Sequence, residues 1–490
     1  MKKVNMAAAT NAGDISASIA RILNEKHRPE HLETLKTFTT ALREQEYRDV
    51  VDGEAFSTLL KVLSRLSDTL QAASATHQDL KSIALQLQLA GECFRALRNS
   101  CVQSARNQSL LRELGLIDVS IQLLKFLHTT LKSGDGVFES LRCGVQFLGN
   151  LAVGNQLCKD DIWRLSFPGL LLPLLNIDDE KTVSYASMVL HTCLDEAKVE
   201  ELAQLQNIQL ALRVMELCRT QPELDWTVLI ATQHFLKSSA LVENMYSAMS
   251  PNERLTLLEL ISAQLSGGES VDSGIPAGVA RFLASSFQKG CGAVLSLATG
   301  SASNDEVLQE ALTVISLLDV LCEMTSHQGQ FMFLQDHPDL LVTTIELLKQ
   351  VHTIGKSSKN IFSSAQNFDA LVDEEKDPSS QSPVTSFKAH LIRLIANLCY
   401  THSANQNKVR ELEGIPLILD NCRIDSNNPF ISQWSILAMR NLFDHNLKNQ
   451  ELLASMERCG DADYSALKDL GFRVEERDGT LLLRPTKKDV

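Results

Sequence analysis

An asparagine that is followed eight residues later by an Asn-Gln pair occurs three times in this chain. These asparagines are Asn99, Asn397 and Asn441, and the pairs begin at residues 107, 405 and 449. A fourth stretch, FLGNLAVGNQLC, carries Asn150 and a pair only five residues later. Positions 397 and 441 are 44 residues apart, and a fixed period of this size indicates stacked copies of one supersecondary unit.

Each unit contains three helical segments. The Asn-Gln segment comes first, an apolar stripe near a proline comes second, and a longer segment ending in the asparagine comes third, as in GIPLILD followed by ISQWSILAMRNLF. The period and the separate first segment are typical of armadillo repeats, with HEAT repeats as the alternative. We therefore predict an all-α, armadillo-type helical-repeat solenoid.

The amino-acid composition is typical of a helical chain and argues against some classes of function. Only 5% of the 490 residues are aromatic, and Gly and Pro number 23 and 12, so residues that interrupt helices are few. A net charge of −14 argues against nucleic-acid binding, which requires basic surface. The 11 cysteines form no Cys-x-x-Cys pair and no apolar run reaches the length of a membrane span. These features predict a cytoplasmic protein without membrane insertion.

The helical pattern predicts the domain organisation. We expect a flexible N-terminus over 1–14, armadillo-like repeats over 15–352, a mobile polar insert over 353–387 and further repeats over 388–460. The tail, 461–490, contains FRVEERDGTLLLRP, in which Asp-Gly separates two strand-like runs. An Asp-Gly step between such runs predicts a β-hairpin.

No motif for catalysis is present. The sequence lacks H-E-x-x-H, G-x-S-x-G and a dinucleotide-binding fingerprint, and its Gly-Lys-Ser at 355–357 lacks the preceding glycine of a phosphate-binding loop. We therefore predict no enzymatic activity, no catalytic residue, no cofactor and no metal site.

The recurring asparagines suggest a peptide-binding groove. Third helices line the concave surface of an armadillo solenoid, where an amide side chain can both donate to and accept from a peptide backbone. Asn99, Asn150, Asn397 and Asn441 are the candidates. The alternative interpretation is that each amide bonds a neighbouring part of the array.

One turn before these asparagines stand Arg95, Gln146, Arg393 and Leu437. Nuclear import receptors of the armadillo class carry tryptophans there, so a transport receptor is the less favoured alternative. The two arginines, Arg95 and Arg393, are candidates for binding carboxylate or phosphate groups, although solvated arginines are common on helix surfaces.

The block FKAHLIRLIANLCYTHSANQNKVRELEGIPLILDNCRIDSNNPFISQWSILAMRNL closely resembles the C-terminal domain of the ataxin-10 family. ECFRALRNSCVQSARNQ, LRCGVQFLGNLA and LLDVLCEMT resemble earlier segments of that family in the same order. The resemblance spans roughly residues 80–480. It implies a non-enzymatic scaffold with roles in cytokinesis, in processes at the centrosome and cilium, and in neuronal survival or neurite outgrowth.

The same resemblance implies where the protein acts and with which partners. The implied locations are cytoplasmic and perinuclear, with association at the centrosome or ciliary base and at the midbody. The implied partners are mitotic kinases, the cytosolic O-linked N-acetylglucosamine transferase and a G-protein β subunit. Whether the chain forms homo-oligomers is left open.

Overall fold

The structure is a computed structural model. It describes residues 18–23, 25–76, 80–130, 134–267, 274–299, 305–326, 329–357, 359–364, 384–423, 425–456, 472–477 and 480–485. The chain divides into two compact units, Met1–Met249 and Ser250–Val490.

The first unit is built from α-helices of 5 to 23 residues. Its α-helices are α1 (Pro29–Ala41), α2 (Gln45–Val50), α3 (Gly53–Ala75), α4 (Ala84–Ser100), α5 (Ala105–Glu113), α6 (Leu116–Thr130), α7 (Asp135–Ala152), α8 (Gln156–Ser166), α9 (Leu171–Leu175), α10 (Glu180–Cys193), α11 (Glu196–Leu202), α12 (Ile208–Thr220), α13 (Asp225–Gln233) and α14 (Ser239–Ala248). Short 3-10 helices lie at Leu80–Ile83 and Phe235–Lys237.

The second unit is also helical up to its tail. Its helices are α15 (Pro251–Ser266), α16 (Ala277–Gly290), α17 (Gly292–Ser296), α18 (Asp305–Ser326), α19 (Leu340–Ser357), α20 (Phe387–Leu398), α21 (Ser403–Glu411), α22 (Gly414–Asp420), α23 (Ile431–Phe443) and α24 (Leu447–Ser455). Further 3-10 helices lie at Leu297–Thr299 and Met332–Asp336.

The predicted three-helix unit is confirmed. Helices α5, α6 and α7 form one repeat, followed by α8 to α10 and α11 to α13, and α21 to α23 form another in the second unit. The third helices pack side by side, as α1, α4, α7, α10 and α13 in the first unit and as α18, α20 and α23 in the second. The chain therefore has the all-α, armadillo-type helical-repeat fold that its period predicts.

Apolar side chains between the layers of helices form the core. Phe94 of α4 and Phe147 of α7 are fully buried, and their ring centroids are 6.3 Å apart. They lie five and three residues before Asn99 and Asn150, so the same helix presents an apolar face to the core and an amide to its neighbour.

In four places a tight turn joins a third helix to the next first helix. The residue four positions after the recurring asparagine has a positive φ at Gln103, Gly154, Thr401 and His445. The following residue is the N-cap, and its side chain accepts a hydrogen bond from the backbone three residues on. This cap satisfies one of the free amides at the start of the helix, so the short first helices have a defined beginning.

The polar loop between α22 and α23 caps another helix. The Oδ1 atom of Asn428 accepts hydrogen bonds from the backbone amides of Lys388 and Ala389 at 3.0 and 3.3 Å. The Lys388 ammonium also lies 3.3 Å from the Asp425 carboxylate, and both side chains are 5% exposed or less. The loop therefore supplies the amino end of α20 with partners that are distant in sequence.

Helix α19 continues through Ser357, so the structure places its end inside the segment predicted as the insert, 353–387. Asn360 then bonds the Ile354 carbonyl at 2.7 Å, and Asn427 donates to the Ser363 carbonyl at 2.9 Å. Both ends of the predicted insert are thus packed. Residues 365–383 lie outside the described part, as do residues 1–17, so the mobility predicted for these segments remains a prediction.

In the tail, strands β1 (Phe472–Arg477) and β2 (Thr480–Pro485) pair antiparallel, with Arg477 opposite Thr480. Residues 478–479 between the strands and residues 457–471 before β1 lie outside the described part of the chain. We expect this hairpin to cover the last repeat, because the end of a repeat array exposes an apolar face.

Candidate functional site

The recurring asparagines connect adjacent third helices. The Nδ2 atom of each donates to a carbonyl of the preceding third helix, and Asn99, Asn397 and Asn441 are only 6% to 8% exposed. The acceptors and distances are Thr39 at 3.0 Å for Asn99, Arg98 at 3.1 Å for Asn150, Cys322 at 3.2 Å for Asn397 and Ala396 at 2.9 Å for Asn441. Because the amide donors are used within the array, this geometry supports the structural interpretation of the asparagines.

The Asn-Gln pairs extend the same network. Asn107 donates to the carbonyl of Ser100 at 3.1 Å, while Gln108 donates forward to the carbonyls of Asn150 and Val153 at 2.9 and 2.8 Å. Asn405 and Gln406 repeat this arrangement on Leu398 and Asn441. Each of these two pairs therefore joins the third helix of the preceding repeat to the third helix of its own repeat, which explains why both amides recur in the sequence.

One detail of the repeat pattern read from the sequence was wrong. Asn155 is an N-cap that accepts from the Cys158 amide at 3.2 Å, so Cys158, and not the Asn155-Gln156 pair, occupies the position of Asn107. In the second unit, Asn441 bonds the residue before Asn397, and Asn397 in turn bonds Cys322. By the same register, the residue of the preceding repeat that is equivalent to Asn397 is Glu323, which follows Cys322.

Arg95 and Arg393 are held by neighbours within the array. Arg95 is paired with the Glu92 carboxylate at 2.8 Å and with Glu139 of the next third helix. The guanidinium of Arg393 lies 4.7 Å from the ring centroid of Trp434, one repeat further on. A cation over an indole is stabilised by the ring quadrupole. Both arginines thus bridge adjacent third helices, on the third-helix surface where the sequence pattern predicted them.

An open groove crosses the third helices of the first unit. It consists of two cavities of about 370 and 360 Å³ that share Leu87, Gln88, Gly136 and Glu139. Gly91 and Gly136 leave space in its wall because they carry no side chain. The remaining lining residues are Leu32, Lys36, Lys81, Ala84, Glu92, Arg95, Gly134, Val137 and Ser140.

The chemistry of the groove suits a polypeptide. The exposed Gln88 amide can donate to and accept from a peptide bond. Lys36, Arg95 and Glu139 place charges of both signs along the same surface. The sequence pattern identified Arg95 as part of this surface and missed Gln88 and the glycines, since no repeat signal marks them.

The described residues contain no group of three or more His, Cys, Asp or Glu side chains arranged to hold a metal ion. Burial raises the pKa of the Cys158 thiol to about 11 and that of Cys193 to about 12, so both are protonated at neutral pH and poor nucleophiles. Among the described helices, none has the length and apolar character to span a bilayer.

Stacked three-helix units joined by an asparagine network define an armadillo-type helical-repeat protein. Comparison with known proteins makes this more specific. A family model described as "Spinocerebellar ataxia type 10 protein domain" matches residues 387–484. Ataxin-10 of Bos taurus is 42% identical over 93% of this chain and 94% of its own length, and that of Homo sapiens is 40% identical over the same shares. The chain belongs to the ataxin-10 family.

A solved structure was also found among its neighbours. An engineered protein known from a crystal structure covers 88% of this chain at 13% identity, with a TM-score of 0.35. This similarity is too low to carry an argument about fold or function.

Proposed function

We propose that this chain is a non-enzymatic protein-interaction scaffold that acts in cytokinesis, in centrosome- and cilium-associated processes and in neuronal survival or neurite outgrowth. Membership of the ataxin-10 family supports an ataxin-10-like function. We further propose a cytoplasmic and perinuclear location, with recruitment to the centrosome or ciliary base and to the midbody.

The groove across α1, α4 and α7 is the observation that carries this proposal. It is open, it runs across successive repeats, and its lining combines apolar, amide and charged groups. Concave sites with a few convergent polar groups are the usual places for ligand recognition. The proposed ligands are segments of the partners that the family suggests: mitotic kinases, the O-linked N-acetylglucosamine transferase and a G-protein β subunit.

Replacing Gln88 by tryptophan tests the groove. Gln88 is exposed on α4, so a large side chain there fills the groove without entering the core. Purified wild-type and Gln88→Trp chains are titrated with each of the three purified partners. We expect at least one partner to bind the wild type and to bind the variant about tenfold more weakly or worse, which corresponds to about 1.4 kcal/mol.

Gln209→Trp is the matched control, because Gln209 is also an exposed helical glutamine and lies outside the groove, on α12. It should bind like the wild type. Equal affinity of both variants would place the interaction surface elsewhere. A failure of all three partners to bind the wild type would contradict the proposed partners.

A further inference from the structure

The first unit contains a further cavity beside α11, where the bridging glutamine of α5 has no counterpart. Four residues after the N-cap of a first helix stand Gln108, Gln406 and Gln450, whereas α8 has Lys159, α11 has Val199 and α14 has Val242 at this position. The glutamine of α5 fills the crevice between its own helix and the end of the next third helix, where it donates to two carbonyls. A valine cannot make this bridge.

The crevice beside Val199 is open. The cavity there measures about 690 Å³, within the range of about 300–1,000 Å³ that is typical of ligand sites. By the register of the other repeats, the carbonyls that a glutamine would reach belong to Gln233 and Leu236, at the end of α13. The cavity is lined by Asp195, Glu196, Ala197, Val199, Glu200, Gln233, His234, Lys237 and Ser238.

The lining is acidic. Asp195 is paired with the buried ammonium of Lys198. Glu196 is exposed, and Glu200 accepts a hydrogen bond from an uncharged group, the Ser238 hydroxyl, at 3.2 Å. Lys237 is the single basic side chain among the lining residues. Burial lowers the pKa of His234 to about 4, so its imidazole is uncharged at neutral pH. The two glutamates therefore leave the cavity with an excess of negative charge.

We propose that this cavity binds an arginine side chain of a partner polypeptide. A guanidinium carries several N–H donors in a plane, so it can donate to a carboxylate in the bidentate manner and to a helix-end carbonyl at the same time. It would thus take the place of the missing glutamine amide while neutralising Glu196 or Glu200. The ring of His234 and the methyl groups of Val199 and Ala197 supply apolar surface for the rest of the side chain.

A labelled peptide of alternating alanine and arginine tests this proposal on the full chain. We expect saturable binding, and about tenfold weaker binding of the same peptide with citrulline in place of arginine, because citrulline keeps the shape and lacks the charge. Free arginine and spermine, added as competitors, separate recognition of a peptide from simple attraction of cations. Spermine that competes as well as unlabelled peptide at equal charge would contradict the proposal.

Two variants locate the site. Glu196→Gln with Glu200→Gln removes the negative charge and keeps an acceptor for Ser238, so binding should weaken about tenfold or more. Val199→Gln introduces the bridge that Gln108 and Gln406 make in their repeats and should close the cavity with no change of charge. Because Val199 is buried, the Val199→Gln chain is first compared with the wild type by thermal melting. If Val199→Gln does not fold, the double glutamate variant alone decides whether the cavity is the binding site.

Glu180→Gln with Glu243→Gln is the control, since both glutamates are exposed in the same unit and lie outside the cavity. Binding should be unchanged in this control and in Gln88→Trp, whose groove is separate. If the wild type does not bind the arginine peptide, or if the control and the cavity variant bind it equally weakly, the proposal is wrong. Neither result would affect the function proposed for the groove.

Discussion

Replacing both Asn397 and Asn441 with alanine should destabilise the second unit rather than remove a ligand contact. Asn441 donates one hydrogen bond to Ala396, and Asn397 donates two, to the Cys322 carbonyl and to the Thr325 hydroxyl. All three lie within the array, and both asparagines are at most 8% exposed. The double variant therefore loses three buried hydrogen bonds.

The magnitude follows from these contacts. A net contribution of about 1 kcal/mol per bond gives a loss of about 3 kcal/mol. Alanine is a better helix former than asparagine by roughly 0.5 kcal/mol per site, so the two substitutions offset about 1 kcal/mol of this loss. The free energy of unfolding should thus fall by about 2 kcal/mol, and with a denaturant slope of roughly 2 kcal/mol per molar the urea midpoint should fall by about 1 M.

The assay is urea unfolding followed by far-ultraviolet circular dichroism, together with partner titration of the folded variant. Asn252→Ala, an exposed asparagine on α15, is the control and should leave the midpoint unchanged. A double variant that unfolds like this control but loses partner binding would refute the structural role. It would support the peptide-binding interpretation of the asparagines instead.

Two further predictions concern the cavity and the tail. His234 has a pKa of about 4 in the folded chain against an ordinary value of 6.5, mainly because of burial, so the unfolded chain takes up its proton more readily. The free energy of unfolding should therefore decrease as the pH falls from 6.5 to 4, and less so in His234→Gln, as measured by urea unfolding across that range. Truncation after Gly460 should lower the melting temperature or cause aggregation, because the end of a repeat array exposes apolar surface that requires a cover; an unchanged melting curve would contradict this.

The sequence was sufficient for the repeat unit because the signals of that unit are local. Helical periodicity, an N-cap and an asparagine at a set distance before it all lie within a few turns of one another. The 44-residue separation of Asn397 and Asn441 therefore predicted the three-helix repeat. The ion pair of Lys388 with Asp425 left no such signal, because the two residues belong to different elements and meet only when α20 and the loop before α23 pack.

The role of each amide was decided by tertiary structure. The bond from Asn441 joins residues 45 positions apart, and that from Asn397 joins residues 75 apart. Spacing within one segment cannot reveal which carbonyl stands opposite an amide in the next repeat. For this reason Asn155 resembled a member of an Asn-Gln pair until its position as a helix cap was known.

The groove and the cavity show the same division. The sequence by itself determined an acidic, helical-repeat chain with two arginines, Arg95 and Arg393, on its third helices. The sequence shows that Val199 stands where α5 carries a bridging glutamine. Only the structure shows that the crevice beside Val199 is open. The volumes of the cavities and the pairing of their charged side chains depend on how neighbouring repeats pack. This packing consists of contacts between residues tens of positions apart, and a local sequence pattern does not specify such contacts.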